Sequence, residues 1–240
     1  MSSGGVLRHA RCLMTFRNSP KANIARCRDT HESDLHWRDF YDRWAPRYDW
    51  VLRIWALLAG FSDADERWKM VSRLELKPGQ RVLEVGVGTG SNLPLMAECV
   101  GPDGTLLGLD ISAGMLRQCE KKVRCRRLNA DLTEGEAAHL PFADDAFDAV
   151  LQFGVINESR DKQRTIQELM RVAKPGAKIV IGDEGVNPHK PASLRNRLIS
   201  RVSPLHEHNP PTDSLPPEAK DVHMVWFRAG RCYLIDFVNP

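Results

Sequence analysis

The chain has 240 residues, enough to bury one sizeable core, and its 34 lysines and arginines nearly cancel 31 aspartates and glutamates, leaving a net charge of +3. So balanced a charge gives no basis for a surface that binds nucleic acid, and no nucleic-acid partner is expected. The six cysteines (Cys12, Cys27, Cys99, Cys119, Cys125 and Cys232) include no Cys-x-x-Cys pair, which argues against a disulfide framework or structural zinc and for a reducing, cytoplasmic setting.

Residues 1–33 carry Arg8, Arg11, Arg17, Lys21, Arg26 and Arg28, with no acid before Asp29. This reads as a basic, disordered extension, with a mitochondrial targeting signal as the alternative. A helical segment follows over 34–76. In it Trp37, Phe40, Tyr41 and Trp44 recur at helical spacing and Pro46 ends the helix. That aromatic face either packs on the core or forms a lid over a ligand. Residues 51–61 (Val51 to Phe61) are apolar but too short to span a bilayer, which needs about 20 residues. A helix buried against the domain is expected there, with contact to a membrane interface as the alternative. Asp63 to Glu75 reads as an amphipathic helix capped by Ser62 or Asp63.

The remainder, 77–240, is organised around Arg81 to Leu93. Val82, Leu83 and Val85 form a short buried strand after the Lys77-Pro78-Gly79 turn. Gly86, Gly88 and Gly90 then let the backbone turn sharply and approach a ligand, and a helix resumes at Leu93. A strand, a glycine turn and a helix N-terminus suit a nucleotide-like ligand. Thr105 to Asp110 is the next strand, and Asp110 lies twenty residues beyond Gly90, where an acid meets ribose hydroxyls. Ser112 caps the following helix, and Ile111 and Met115 are placed to lie against an adenine face. Leu128, Ala130 and Leu132 alternate as a third strand. Glu136 is expected at that strand's end beside Asp110, accepting the adenine amino hydrogens while the Ala137 N–H donates to the ring. Phe147 to Phe153 is the fourth strand, followed by a polar loop with Asn157, Glu158 and Asp161. Thr165 to Ala173 reads as a helix that Lys174-Pro175-Gly176 stops, and Lys178 to Gly185 as a fifth strand ending in acids. Residues 187–217 are rich in Pro, Ser, Asn and His, with one helical piece at 194–202. Val222 to Phe227 and Cys232 to Val238 read as a closing hairpin.

Together these residues resemble the class I S-adenosylmethionine-dependent methyltransferases, in the branch of ubiquinone/menaquinone-biosynthesis and bacterial phospholipid N-methyltransferases. The resemblance covers roughly residues 36–238. It is carried by Tyr41-Asp42 to Tyr48-Asp49, the Val82 to Gly90 loop, Gly108-Leu109-Asp110-Ile111-Ser112, Leu140-Pro141-Phe142 to Phe147-Asp148, and Arg171-Val172-Ala173-Lys174-Pro175-Gly176. It implies a Rossmann-like α/β fold: a seven-stranded, mostly parallel sheet with a C-terminal antiparallel hairpin and helices on both faces. The implied cofactor is S-adenosyl-L-methionine and the implied acceptor a small molecule or lipid. Carried over residue by residue, Glu84, Gly86, Gly88 and Gly90 would hold the methionine end, Asp110 the ribose, and Ile111 and Met115 the adenine face. Tyr48, Glu136, Ala137 and Gln152 complete the implied cofactor set, with Glu136 standing where the family usually has Asp. Gly154-Val155-Ile156-Asn157 departs from the Leu-His-His-like run of relatives, on the acceptor side.

A proton acceptor, where the reaction needs one, would come from Tyr41, Tyr48, Asp183, Glu184, His206, Glu207 or His208. His206-Glu207-His208 lacks the spacing and third ligand of a metal site, so no metal is expected. Asn209-Pro210-Pro211-Thr212 has the look of an amine-methylating motif but lacks its aromatic and follows the wrong strand. A non-catalytic cofactor-binding scaffold and a nicotinamide-dependent oxidoreductase remain as alternatives; Ser91 in place of the last glycine of G-x-G-x-x-G counts against the latter.

Overall fold

The computed structural model describes residues 24–26, 32–185, 187–188 and 209–240. His206, Glu207, His208, the helical piece at 194–202 and most of the basic start lie outside the described residues.

The helices are α1 (Glu32–Trp44), α2 (Tyr48–Ala59), α3 (Asp63–Ser72), α4 (Leu93–Val100), α5 (Ala113–Arg126) and α6 (Lys162–Val172). The strands are β1 (Ile24–Arg26), β2 (Arg81–Val85), β3 (Thr105–Asp110), β4 (Ala130–Glu134), β5 (Phe147–Phe153), β6 (Ala173–Glu184), β7 (Lys220–Phe227) and β8 (Cys232–Val238). They form one sheet in the order β1-β4-β3-β2-β5-β6-β8-β7. β8 runs antiparallel to both β6 and β7, and every other pairing is parallel. The seven strands and closing hairpin read from the sequence are all present, and β1 adds a short eighth at the edge, parallel to β4.

The central strands β2, β3 and β5 are near-continuous apolar runs because helices cover both faces of the sheet. One core layer centres on Val82, Leu106 and Leu132, and the other on Leu83, Leu107 and Val150. β2 lies between β3 and β5, so the chain moves outward one way through β3 and β4 and the other way through β5 and β6. Ligands of such sheets bind at this switch point, beyond the carboxyl ends of the strands.

Three local expectations are corrected. β4 begins at Ala130 because Leu128 is taken by the end of α5: Arg127 is left-handed (φ 53) and the Leu128 N–H donates to the Val123 carbonyl. The strand therefore runs on to Glu134, which pairs with Asp110 in the place expected for Glu136. α6 does end before Lys174-Pro175-Gly176, but the fifth strand begins at Ala173 and not at Lys178: Asn239 Nδ2 donates to the Ala173 carbonyl (2.8 Å) and the Asn239 carbonyl accepts from the Gly176 N–H (3.0 Å). α2 is set against the domain by one face only and leaves the other open. Of its described side chains only Ala56 is buried, while Trp50 is 66% and Leu57 79% exposed.

Candidate functional site

A cavity of about 670 Å³ opens at the switch point, between the carboxyl ends of β2, β3, β5 and β6 and the helices α1 and α2. Its floor is the glycine loop. Gly86 and Gly88 have φ of 75° and 55°, which residues with a Cβ rarely adopt. Gly86 has no room for a Cβ because Val155 Cγ2 occupies the place. Gly88 lines the cavity, and nothing nearer than the Gly86 carbonyl oxygen at 4.0 Å would meet a Cβ there. Gly90 does not line the cavity; it makes room for Cys119 and Leu93, so its role is the packing of α4 and α5 on the loop.

Asp110 ends β3 with its carboxylate gripped from two sides. Oδ2 accepts from the Gly88 N–H (2.8 Å) and Oδ1 from the Ser112 N–H (2.9 Å). Burial pushes its pKa up to about 6 against these two stabilising bonds. Glu84, on β2, is buried too, and burial pushes it up to about 7. Its Oε1 accepts from Asn92 Nδ2 (2.6 Å) and its Oε2 has no hydrogen-bond partner. A buried carboxylate oxygen left so costs on the order of 1–3 kcal/mol. A ligand ammonium would satisfy it, and the acid beside the glycine loop would receive a ribose. The residues present thus fit a cofactor made of a nucleoside and an amino acid. Ile111, Met115, Glu136 and Ala137 also line the cavity, together with Tyr48. Gln152 does not. It is fully buried, and with its amide turned to suit its surroundings its oxygen accepts from the Val155 (2.9 Å) and Ile156 (3.2 Å) N–H groups, holding the turn after β5.

The roof comes from the Tyr-Asp pairs. Asp42 Oδ1 accepts from Ser112 Oγ and the Gly114 N–H, both at 2.6 Å, docking α1 on the start of α5. Only glycine fits at 114, since a Cβ would lie 2.8 Å from Asp42 Oδ1 and 2.9 Å from its Cα. Asp49 accepts from Thr89 Oγ1 in the glycine loop and from Lys122 Nζ (3.2 Å). The two aspartates fasten the lid, and the two tyrosines, 6.3 Å apart edge-to-face, line the cavity. The aromatic stripe is therefore divided: Trp37 and Tyr41 line the cavity, while Phe40 and Trp44 are exposed.

The part of the lining that comes from β6 and the loop after β5 is acidic, with Glu158, Asp161, Asp183 and Glu184. Tyr41 donates its hydroxyl to Glu158 Oε1 at 2.6 Å, across 117 residues of sequence. Glu158 is pushed up to about 8 by burial, despite the tyrosine's hydrogen bond, with the charges of Asp183, Asp110 and Glu184 adding to it. The Tyr41 hydroxyl is raised far above its ordinary value by burial and by Glu158, so it stays protonated. Asp183 has both oxygens engaged by backbone, Oδ2 by the Asn157 N–H (3.0 Å) and Oδ1 by the Glu184 N–H (2.7 Å). Its place is therefore to hold the loop that carries Glu158. Asn209 to Thr212 does not reach the cavity.

Sequence reasoning missed three residues of this site. Glu158 stood in a polar loop beyond β5, beside the switch point, and that position was the available signal. Arg67 of α3 lines the cavity and is held by Asp63 (2.7 Å) and Asn92 (3.1 Å). Arg228 lies 5.1 Å from the Phe153 ring and 5.4 Å from that of Phe227, at the hairpin bend. Nothing in the local sequence marks either arginine.

A doubly wound sheet with a glycine loop and an acid at the end of the second strand of the unit defines a nucleotide-cofactor-binding α/β protein. Residues 76–210, more than half of the chain, match the family described as "Methyltransferase domain", and the chain belongs to that family. It is 35% identical over 153 residues to a demethylmenaquinone methyltransferase of Lactobacillus johnsonii, covering 62% of this chain and 60% of that one. It is 35% identical over 109 residues to an arsenite methyltransferase of Halobacterium salinarum, covering 45% and 28%. The chain thus spans less than two thirds of the length of these relatives. In fold it is like a phosphoethanolamine N-methyltransferase 2 of Haemonchus contortus (TM-score 0.63, 18% identity, 85% of this chain and 60% of that). It is also like a SAM-dependent methyltransferase from Aquifex aeolicus (TM-score 0.53, 21% identity, 72% and 89%).

Proposed function

We propose that the chain transfers a methyl group from S-adenosylmethionine to a small-molecule acceptor that releases a proton as it is methylated, with Glu158 taking that proton. The observation that carries this reading is one cavity lined both by Asp110, Glu84 and the glycine loop and by the Tyr41–Glu158 pair. Membership of the family supports the reaction, and relatives named for demethylmenaquinone and arsenite support a small acceptor.

In this reading Asp110 would receive the ribose hydroxyls, and the unpartnered Glu84 oxygen would take the ammonium of the methionine end. Ile111, Met115, Glu136 and Ala137 frame the adenine. When bound, the cofactor supplies a sulfonium-activated methyl carbon and departs as a neutral thioether. The chain's own part is alignment, exclusion of water and proton transfer. Alignment in a near-attack geometry is worth about 7 kcal/mol or more in favourable systems. Trp37, Tyr41 and Tyr48 line the site and would exclude water from it once the cofactor and acceptor are bound. The nucleophile's electron pair forms the new bond to carbon, and its proton passes to Glu158. A carboxylate titrating near 8 is close to the ideal for such a base, and Tyr41 fixes its orientation.

A metabolite extract incubated with the protein and methyl-labelled S-adenosylmethionine tests the reading: one compound should gain the labelled methyl. A scaffold would bind S-adenosylhomocysteine in a calorimeter yet label nothing. Tighter binding of NADH than of S-adenosylmethionine would overturn the reading in favour of a nicotinamide enzyme.

A further inference from the structure

The lid helices have a second face. Among the described residues, six of the nine exposed large apolar side chains lie on α1 and α2: Phe40, Trp44, Trp50, Ile54, Leu57 and Leu58. On α2 they fall at i, i+4, i+7 and i+8, which is a single helical stripe. Leu57 is 79% and Leu58 64% exposed, so neither is covered by the described residues. A stripe of this kind marks an interaction surface.

The charges on these helices select the occupant. Asp42 and Asp49 are turned to internal partners. Asp39 pairs with Arg38 at 3.7 Å. Arg43, Arg47 and Arg53 are exposed, and none is ion-paired among the described residues. Among the described side chains, from His36 onward, the unpaired outward charge is therefore cationic, beside tryptophan and leucine. Aromatic rings sit at headgroup level, leucines reach the acyl boundary and arginines meet lipid phosphates. A second copy of the chain fits less well. A two-fold contact through this face would set arginines against arginines. No helix among the described residues is long and apolar enough to cross a membrane, so the contact would be peripheral.

We propose that the outer face of α1 and α2 docks on a lipid surface carrying anionic headgroups. The inner faces of the same helices give Trp37, Tyr41, Tyr48 and Leu52 to the cavity. Docking would therefore set the roof of the site at the bilayer boundary, where an apolar acceptor is concentrated. This surface does not depend on the identity of the acceptor or of the base.

The test is flotation of the full chain with extruded vesicles of phosphatidylcholine, with and without phosphatidylglycerol, in the presence of S-adenosylhomocysteine. The chain should float with the anionic vesicles and much less with the neutral ones, and added salt should release it. The pair Leu57→Glu and Leu58→Glu should lower partition at least tenfold, since each leucine removed from the acyl boundary costs about a factor of ten. Arg47→Ser with Arg53→Ser should weaken binding several-fold and flatten its salt dependence. Calorimetric binding of S-adenosylhomocysteine, unchanged in every variant, shows that they fold and separates this surface from the cofactor site. Wild-type protein that stays at the bottom of the gradient overturns the proposal. So does a doubling of mass in light scattering that the leucine variants abolish, which would give the face to a second copy.

Discussion

The two walls of the cavity are built at different ranges of sequence. On the cofactor side, backbone groups do most of the work: the Gly88 N–H grips Asp110 within the β2–β3 unit, and Gly86 makes room for Val155 of the turn after β5. On the other side the decisive contacts join a side chain to a residue far away in sequence, Tyr41 to Glu158 and Asp42 to the Ser112 hydroxyl and the Gly114 N–H. The first wall is fixed by conformations that few residues can adopt. The second can be altered one side chain at a time without disturbing the sheet. A family that keeps one cofactor and changes its acceptor needs this division.

Glu158→Gln breaks the comparison at its sharpest point. The amide keeps the size and the Tyr41 contact but cannot take a proton, so kcat should fall by on the order of 10²–10⁴ while S-adenosylhomocysteine affinity stays unchanged. In the wild type, activity should rise with pH through about 8, where Glu158 ionises. A variant with normal kcat and a normal pH profile would remove Glu158 from the chemistry.

Asp110→Ala acts on the other wall. Charged hydrogen bonds of this kind contribute roughly 1.5–3 kcal/mol. Affinity for S-adenosylhomocysteine in a calorimeter should fall between about tenfold and a hundredfold. Because Asp110 also fixes the Gly88 N–H, loop order is lost with it. Unchanged affinity would mean that the ribose lies elsewhere.

Gly114→Ala has a smaller effect and separates lid from sheet. Its new Cβ would press on Asp42 and lift α1 from α5. KM for both ligands should rise several-fold, while the melting temperature of the sheet domain changes little. Limited proteolysis should find α1 cut first. A variant with unchanged KM and protection would show that α1 is held by something other than Asp42.

The same division governs what the sequence alone could tell. The strand, glycine turn, strand and acid of Val82 to Asp110 are local signals, and each lands where the spacing puts it. Glu136 lines the cavity although its register was misread, because the end of α5 takes Leu128 through a left-handed residue that alternation cannot foresee. Gln152 and Gly90 carry family positions whose side-chain space is spent inside the fold. Glu158 needed the knowledge that Tyr41 would arrive from 117 residues away. For α2 the apolar pattern was plain and its direction was not, since amphipathicity records a face and not what covers it.

The smallest expected effect is in stability, and its sign is opposite to the usual one for carboxylates. Glu84, Asp110, Asp183 and Glu158 have folded-state values raised to about 7, 6, 6 and 8, in each case with burial as the first cause. Between the ordinary carboxylate range and these values the folded state holds protons that the unfolded chain has released. Stability therefore falls as pH rises through this window. The ligand-free protein should melt several degrees higher at pH 5 than at pH 8.5. Bound S-adenosylhomocysteine carries an ammonium that would pair with Glu84 Oε2, so the gain in melting temperature on binding should be larger at the higher pH. Differential scanning calorimetry at the two pH values, with and without S-adenosylhomocysteine, reads both differences. Glu84→Gln should flatten the pH dependence of the ligand-free protein and shrink the ligand's extra gain together. If the first changed without the second, Glu84 would be a buried acid of the fold and not the seat of the ammonium, and the cofactor-side wall would rest on Asp110 and the glycine loop alone.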